Sequence, residues 1–157
     1  MPAITPNFLF ATQALEAAEF YVGIFPNSSI GSVSYYGEGS PMPDGTALAV
    51  DFTLDGTDFT AINSGQDFAF NESVSFRVVC HGQEEVDHYW NALTAEGSEG
   101  QCGWLKDKFG VSWQVSPVEM QNYLGHPDPE KAQRAMAAML GMTKLDLALF
   151  EAAVADE

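Results

Sequence analysis

The feature that most constrains the fold of this chain is a pattern that occurs twice along it. In each occurrence an apolar strand is followed by a helix with an adjacent aromatic pair, Phe20-Tyr21 or Tyr89-Trp90, and then by further strands. We interpret this pattern as an internal duplication with a period of about 70 residues. It predicts an α+β fold in which a single domain, residues 1–157, contains two βαβββ-type modules at residues 3–63 and 73–117.

The first module is predicted to contain four strands and one helix. Apolar alternation and turn signals place the strands at residues 3–11, 29–36, 46–54 and 57–63, and the helix at residues 13–25. We expect Thr12 to cap the helix and Asp55-Gly56 to form a hairpin turn. Phe8, Leu9 and Phe10 are expected to be buried on both faces of the first strand.

The second module is predicted to begin with a strand at residues 73–80, followed by a helix at 84–95. On the strand, one face should carry Val74, Phe76, Val78 and Cys80. The stretch 100–117 then reads as two strands joined by a tight charged turn. Its return strand alternates, with Val111, Trp113 and Val115 on one side. Gln114 is therefore expected to lie on a face other than the main hydrophobic one.

The remainder of the chain, residues 118–157, is predicted to be a helical tail. Helices are expected at 118–124, at 128–140, and up to Val154 after a capping box formed by Thr143 and Asp146. Large exposed apolar surfaces commonly mark a partner surface, so the tail's apolar stripe favours a homodimer. A tail folded back on its own subunit is the alternative. The stripe consists of Ala132, Ala135, Met136, Met139, Leu140, Met142, Leu145, Leu149 and Phe150.

Charge and composition restrict the classes of partner. The chain has 22 acidic and 6 basic residues and a formal net charge of −16. Nucleic acids and anionic membranes bind proteins largely through Lys and Arg, which are few here, so neither is an expected partner. The first ten residues lack a basic segment typical of a signal peptide, and Cys80 and Cys102 form no zinc or CxxC pattern. We therefore expect a cytoplasmic protein with reduced thiols.

Several phrases resemble the PhnB-like family of the vicinal oxygen chelate superfamily, which includes glyoxalases, bleomycin-resistance proteins and extradiol dioxygenases. They are FYVGIFPNS, TLDGTDF, EEVDHYW, GQCGWLKDKFGVSWQVSP and PDPEKAQRAMAAML, and the resemblance extends from Ile4 to Leu140. It implies two modules whose curled mixed or antiparallel sheets surround a shared concave site. It also supports a homodimer. Some members of the family carry the label demethylubiquinone 3-methyltransferase.

The resemblance also indicates where metal-using relatives place their four ligands, which are usually His and Glu. The corresponding positions here are Pro6, Ala61 or Asn63, Ser75 and Gln114, and none is a histidine or a carboxylate. Because amide oxygens are weak ligands for divalent transition metals, we expect no metal at this site. S-adenosylmethionine usually needs a glycine-rich turn after a first strand. The sequence has no such turn, so we expect no cofactor.

These considerations predict a pocket for a small, partly apolar molecule, with an apolar wall and few hydrogen-bonding groups. Its predicted ligand-binding residues are Phe8, Asn63, Ser75, Cys102, Trp104 and Gln114. Lys106 could activate the Cys102 thiol, although a small buried hydrophobic residue is the plainer reading. His81, His88 and His126 are expected to be ordinary surface residues. The sequence thus favours a metal-independent binding protein or enzyme. A metalloenzyme with atypical ligands and a non-catalytic dimeric module are the alternatives.

Overall fold

In the computed structural model, which describes residues 1–156, the chain forms two compact units, Met1–Ala69 and Phe70–Glu157. Each unit contains one mixed four-stranded sheet, which confirms the predicted α+β class. Within residues 1–156 no helix is both long enough and apolar enough to cross a membrane.

The first unit follows the predicted order of one helix and four strands. These are β1 (Asn7–Phe10), α1 (Ala14–Ile24), β2 (Ser29–Tyr35), β3 (Ala47–Leu54) and β4 (Thr57–Asn63). The strands lie in the order β1-β4-β3-β2, with β1 parallel to β4 and the other neighbours antiparallel. The hairpin at Asp55-Gly56 is confirmed, because both residues have positive φ angles and β3 pairs with β4 across them.

The first core lies between α1 and one face of the sheet, and aromatic rings fill much of it. The buried members are Phe8, Phe10, Tyr21, Phe52 and Phe59. Two expectations were wrong. Leu9 is 37% exposed, because it lies on the other face of β1 from the two buried phenylalanines. Thr12 does not cap α1; the cap position is Gln13, which makes no side-chain capping bond.

The second unit repeats the topology of the first. Its elements are β5 (Ser75–Cys80), α2 (Gly82–Thr94), β6 (Ser98–Glu99), β7 (Trp104–Lys106) and β8 (Ser112–Pro117). The strand order is β5-β8-β7-β6, with β5 parallel to β8 and the remaining pairs antiparallel. Numbered within each module, this is the same order as in the first sheet, as a duplication predicts.

The second core lies between α2 and the face of the sheet that bears Trp113 and Val115. Both residues are buried, as are Leu105 on β7 and Trp90 on α2. Val74 was expected on this buried face, but that prediction was wrong. Val74 precedes β5 and is 68% exposed.

The tail forms three helices: α3 (Met120–Leu124), α4 (Pro129–Leu140) and α5 (Leu147–Val154). Asp128 caps α4 as expected, and its carboxylate accepts a hydrogen bond of 3.0 Å from the Glu130 amide. Asp146 alone caps α5 through the Ala148 amide at 2.9 Å, so the capping box with Thr143 was wrong.

The predicted apolar stripe of the tail is partly covered by the tail itself. Four of its members form a buried cluster: Ala135, Met142, Leu145 and Phe150. Met136, Leu140 and Leu149 remain exposed. Gln83 joins the tail to α2, because its side chain donates to Leu145 O and accepts from Leu147 N, at 3.0 and 2.8 Å. Folding back on the same subunit, the alternative that the sequence left open, therefore describes the buried half of the stripe.

Candidate functional site

The second sheet has one face directed away from α2, and we call it the polar face. Strand register places its members opposite one another: Gln114 pairs with Arg77 on β5 and with Trp104 on β7, and Ser112 pairs with Ser75 and with Lys106. Directly paired residues in a sheet point to the same side. The predicted parity of Gln114 is thus confirmed, since the neighbouring Trp113 and Val115 belong to the core. The polar face comprises Ser75, Arg77, Trp104, Lys106, Ser112, Gln114 and Ser116.

Most polar groups on this face have partners within the unit. The Gln114 amide donates to the Ser75 hydroxyl at 2.9 Å. The Arg77 guanidinium donates to the Ser116 hydroxyl at 2.8 Å. Lys106 forms an ion pair with Glu72. The hydrogen bond from Lys106 holds the pKa of the Glu72 carboxyl below its usual range.

One hydroxyl on the polar face has no partner. Ser112 is 1% exposed, and its Oγ makes no hydrogen bond to any atom of residues 1–156. Leaving a buried hydroxyl unsatisfied costs about 1–3 kcal/mol, so a water or ligand atom is needed to complete it. Ser112 lines a cleft of about 270 Å³. The other residues lining this cleft are Glu72, Ser98, Glu99, Gly100, Trp104, Leu105 and Lys106.

The turn between β7 and β8 fixes the geometry of this cleft. Asp107 is 3% exposed, and its carboxylate accepts hydrogen bonds from the amides of Phe109 and Val111 at 2.8 and 3.1 Å. It also accepts one from the Trp113 indole at 2.8 Å. These bonds close the hairpin that sets Lys106 opposite Ser112. Sequence analysis placed this charged turn correctly and did not identify Asp107 as its centre.

Three predicted site residues, Ser75, Trp104 and Gln114, share the polar face, and Trp104 lines the cleft. Cys102 lies against the tail, where its amide donates to Met142 O at 2.8 Å and its thiol lies 3.4 Å from Met139 O. Lys106, the cation predicted to activate it, pairs with Glu72.

Phe8 and Asn63 belong to the first unit, and both are buried on the side of its sheet that faces α1. The Phe8 ring makes an edge contact with Tyr21 at a centroid distance of 6.1 Å. The Asn63 carboxamide accepts from Ala14 N and donates to Ala47 O, each at 2.9 Å. It therefore joins β4 to the start of α1 and to β3, which is a structural role within the core.

Sequence reasoning missed Ser112 and Glu72 as cleft residues. Ser112 had a usable signal, because it shares the parity of Gln114 on the same strand. Glu72 had none, since it lies in a polar connector before β5 and reaches the cleft only through its ion pair with Lys106.

The donors on the polar face do not suit a transition metal. A hydroxyl and a carboxamide, Ser75 and Gln114, stand where imidazole or carboxylate would be needed. Within residues 1–156 no group of three His, Cys, Asp or Glu side chains could hold a metal ion.

The residues of this chain do not fit a binding site for S-adenosylmethionine either. Only Ala11, Thr12 and Gln13 separate β1 from α1, so the turn after the first strand contains no glycine. The glycines near the cleft are packed against protein: a Cβ on Gly100 would lie 2.8 Å from Trp104 O, and one on Gly103 would lie 2.7 Å from Val115 O. These positions accommodate the neighbouring strands and leave no open cradle.

Comparisons with known proteins agree on a family. Residues 2–116 match the family model described as 3-demethylubiquinone-9 3-methyltransferase. A PhnB protein from Bacillus cereus is 35% identical, with a TM-score of 0.70 over 74% of this chain and 100% of its own. No curated protein matches the chain.

Two more distant structures share the fold alone. Protein PA1353 from Pseudomonas aeruginosa is 19% identical, with a TM-score of 0.62 over 74% of this chain and 98% of its own. The fosfomycin resistance protein FosX from Listeria monocytogenes, solved with Mn(II) and sulfate, is 12% identical, with a TM-score of 0.55 over 79% of this chain and 95% of its own. On the family match and the Bacillus cereus relative, this chain belongs to the PhnB-like family, the family described as 3-demethylubiquinone-9 3-methyltransferase.

Proposed function

We propose that this protein binds a small, partly apolar molecule in the cleft beside β7 and β8, as a binding protein or a metal-independent enzyme. The observation that carries the proposal is the Ser112 hydroxyl, which is buried, lines the cleft and has no partner in residues 1–156. Native proteins satisfy nearly all buried polar groups, so an exception beside a cleft indicates a place for a ligand atom.

The residues around Ser112 have the composition of a small-molecule site. Trp104 supplies apolar surface, while Lys106 and Ser112 supply hydrogen-bond donors. Gln114 and Ser75, bonded to one another on the same face, extend the polar side of the site. Phe8 and Asn63 support the first core in this proposal, and Cys102 lies outside it.

The chemistry of the cleft gives little support to a methyl transfer. Its carboxylates have partners, since Glu72 pairs with Lys106 and Glu99 accepts from the Trp90 indole at 3.0 Å. The cleft holds no cysteine or histidine. Binding is therefore the function that the geometry supports best.

Substitution of Ser112 tests the proposal. Ser112→Ala removes an unsatisfied hydroxyl, so the melting temperature of the free protein should stay constant or rise. The matched control is Ser116→Ala, which leaves the Arg77 guanidinium without its 2.8 Å acceptor and should lower the melting temperature. A fragment library should contain compounds that shift the Trp104 indole NMR signal in the wild type and bind Ser112→Ala more weakly. If no fragment moves that signal, the proposal fails.

We also propose a homodimer. The exposed Met136, Leu140 and Leu149 of the tail support it, because exposed apolar side chains favour association. Light scattering at micromolar concentration should give about twice the 17.0 kDa chain mass. A particle of one chain mass would contradict this proposal without affecting the cleft.

A further inference from the structure

We infer that the ligand of this cleft carries a carboxylate, and that Glu72 occupies the ligand's place in the free protein. The inference rests on the proposed function and assigns a chemical class to the ligand. Its starting point is the Lys106–Glu72 ion pair at the mouth of the cleft, in which the protein already places one carboxylate on the Lys106 ammonium.

Two donors converge where that carboxylate would be replaced. Lys106 and Ser112 are direct partners across β7 and β8, and both line the cleft. The ammonium has three donor hydrogens, and the Ser112 hydroxyl has one with no acceptor in residues 1–156. A ligand carboxylate has two oxygens, so one can accept from Lys106 while the other accepts from Ser112. Glu72 serves only the first of these donors.

Glu72 is well placed to leave. Its side chain is 62% exposed, and it lies in the connector before β5, outside any helix or strand. Exposed ion pairs contribute little to stability, because water screens them and both side chains lose freedom, so breaking this one costs little. The incoming carboxylate restores the same charge balance on Lys106, which makes binding an exchange of one carboxylate for another.

The charges in the cleft disfavour other ligand classes. Lys106 is the single cation among the lining residues, and Glu99 remains there as a second carboxylate. A dianion such as phosphate would face Glu99 with only one cation to neutralise it. A cationic ligand would draw Glu72 away from Lys106, and the unpaired Lys106 ammonium would then repel that ligand. A monocarboxylate with a flat apolar body matches Lys106, Ser112 and the Trp104 ring together.

The experiment compares benzoate with benzamide, which has the same shape and no charge. Binding is followed by the Trp104 indole NMR signal in the intact protein. Benzoate should bind about fivefold more tightly than benzamide, because only a carboxylate can replace Glu72 on Lys106 while its second oxygen accepts from Ser112. Equal affinities, with the indole signal moving for both, would overturn the inference and leave the proposed function intact. If neither these compounds nor any fragment moves the signal, both fail.

Three variants locate the effect. Glu72→Gln removes the competitor, so it should tighten benzoate binding by about twofold to fivefold and leave benzamide unchanged. Lys106→Met keeps the apolar stem and should abolish the preference for benzoate. Glu96→Gln is the matched control, because it makes the same change in net charge at the separate Lys108–Glu96 pair. Weaker or unchanged benzoate binding in Glu72→Gln, or equal tightening in Glu96→Gln, would contradict competition by Glu72.

Discussion

The two sheets share a topology, but a side-chain amide has a different structural role in each. In the first, Asn63 is the last residue of β4. Its carboxamide accepts a hydrogen bond from Ala14 N and donates one to Ala47 O. In the second, Gln114 lies in the middle of β8, on the face directed away from the helix, and bonds to the Ser75 hydroxyl. One amide stabilises a core, and the other lies beside a cleft. The strand position, more than the residue type, decides between these roles.

The faces directed away from the helices differ in the same way. On the first sheet, Asp51 accepts hydrogen bonds from Ser32 and Thr60, each at 2.7 Å, and these bonds lower the pKa of its carboxyl. On the second sheet, the Ser112 hydroxyl has no partner in residues 1–156. Both faces carry polar side chains. The unsatisfied group, rather than polarity itself, distinguishes the second face as the candidate site.

The largest expected effect comes from Asp107→Ala, which tests whether the second module depends on its turn. The substitution leaves the Phe109 and Val111 amides and the Trp113 indole without their acceptor in a buried setting. We expect a loss of about 3 kcal/mol in the free energy of unfolding, measured by urea denaturation.

The control for that variant is Asp58→Ala in the first unit. Asp58 is exposed and accepts a single hydrogen bond, from Thr53 at 3.0 Å. Its loss should change stability by no more than about 0.5 kcal/mol. Similar effects of the two substitutions would show that the Asp107 network contributes no more than the single hydrogen bond of an exposed strand residue.

Asn63→Ala should have the next largest effect. It removes the bridge between β4, α1 and β3, and leaves Ala14 N and Ala47 O without their partners. We expect a loss of about 2 kcal/mol in unfolding free energy. Benzoate affinity should not change, because Asn63 is structural in the first core. If Asn63→Ala bound benzoate more weakly and kept the unfolding free energy of the wild type, Asn63 would instead be a ligand-binding residue.

Sequence alone predicted the modules, most strand positions and the parity of Gln114, because each depends on local alternation. It failed where the facing of a strand residue, or the partner of a side chain, depends on how distant segments pair. On β3, strict alternation from Val50, Phe52 and Leu54 would place Ala47 on the outward face. Ala47 is nevertheless buried, because the pairing with β2 shifts between Ser34 and Tyr35. Such an irregularity reverses the facing of every residue beyond it.

The candidate site was predictable in part for the same reason. The facing of Gln114 follows from strand alternation, which the sequence displays, and Ser75 was indicated by the family resemblance. The partner of Lys106 does not, since Glu72 reaches it from a connector without periodicity. The burial of Asn63 was equally hidden, because its acceptor and donor are backbone groups of distant elements.

The thiol of Cys80 offers a test of the second core by pH. Burial, and then the nearby Glu85 and Glu119 carboxylates, raise the pKa of Cys80 to about 12. Between the ordinary pKa of a thiol and this raised pKa, the thiol stays protonated in the folded protein and ionises in the unfolded chain. The thiol's contribution to the free energy of unfolding is therefore complete below about pH 8.5 and is lost as the pH rises towards 12. The stability difference between wild type and Cys80→Ala should shrink by about 1 kcal/mol between pH 9 and 10. Parallel pH curves would show that solvent reaches the thiol.

The smallest stability effect is expected at Gln114, and it sharpens the contrast with Asn63. Gln114 is half-buried and its amide has an acceptor in the Ser75 hydroxyl, so Gln114→Ala should cost about 1 kcal/mol or less. Gln114→Glu restores the carboxylate that metal-using relatives are expected to carry, without supplying histidines. We expect plasma emission spectroscopy to find no stoichiometric zinc, nickel, iron or manganese in either the wild type or this variant. The added negative charge on the face that carries Lys106 and Ser112 should also weaken benzoate binding. About one metal ion per wild-type chain, lost in Gln114→Ala, would establish a metal site with atypical ligands and exclude the metal-independent reading.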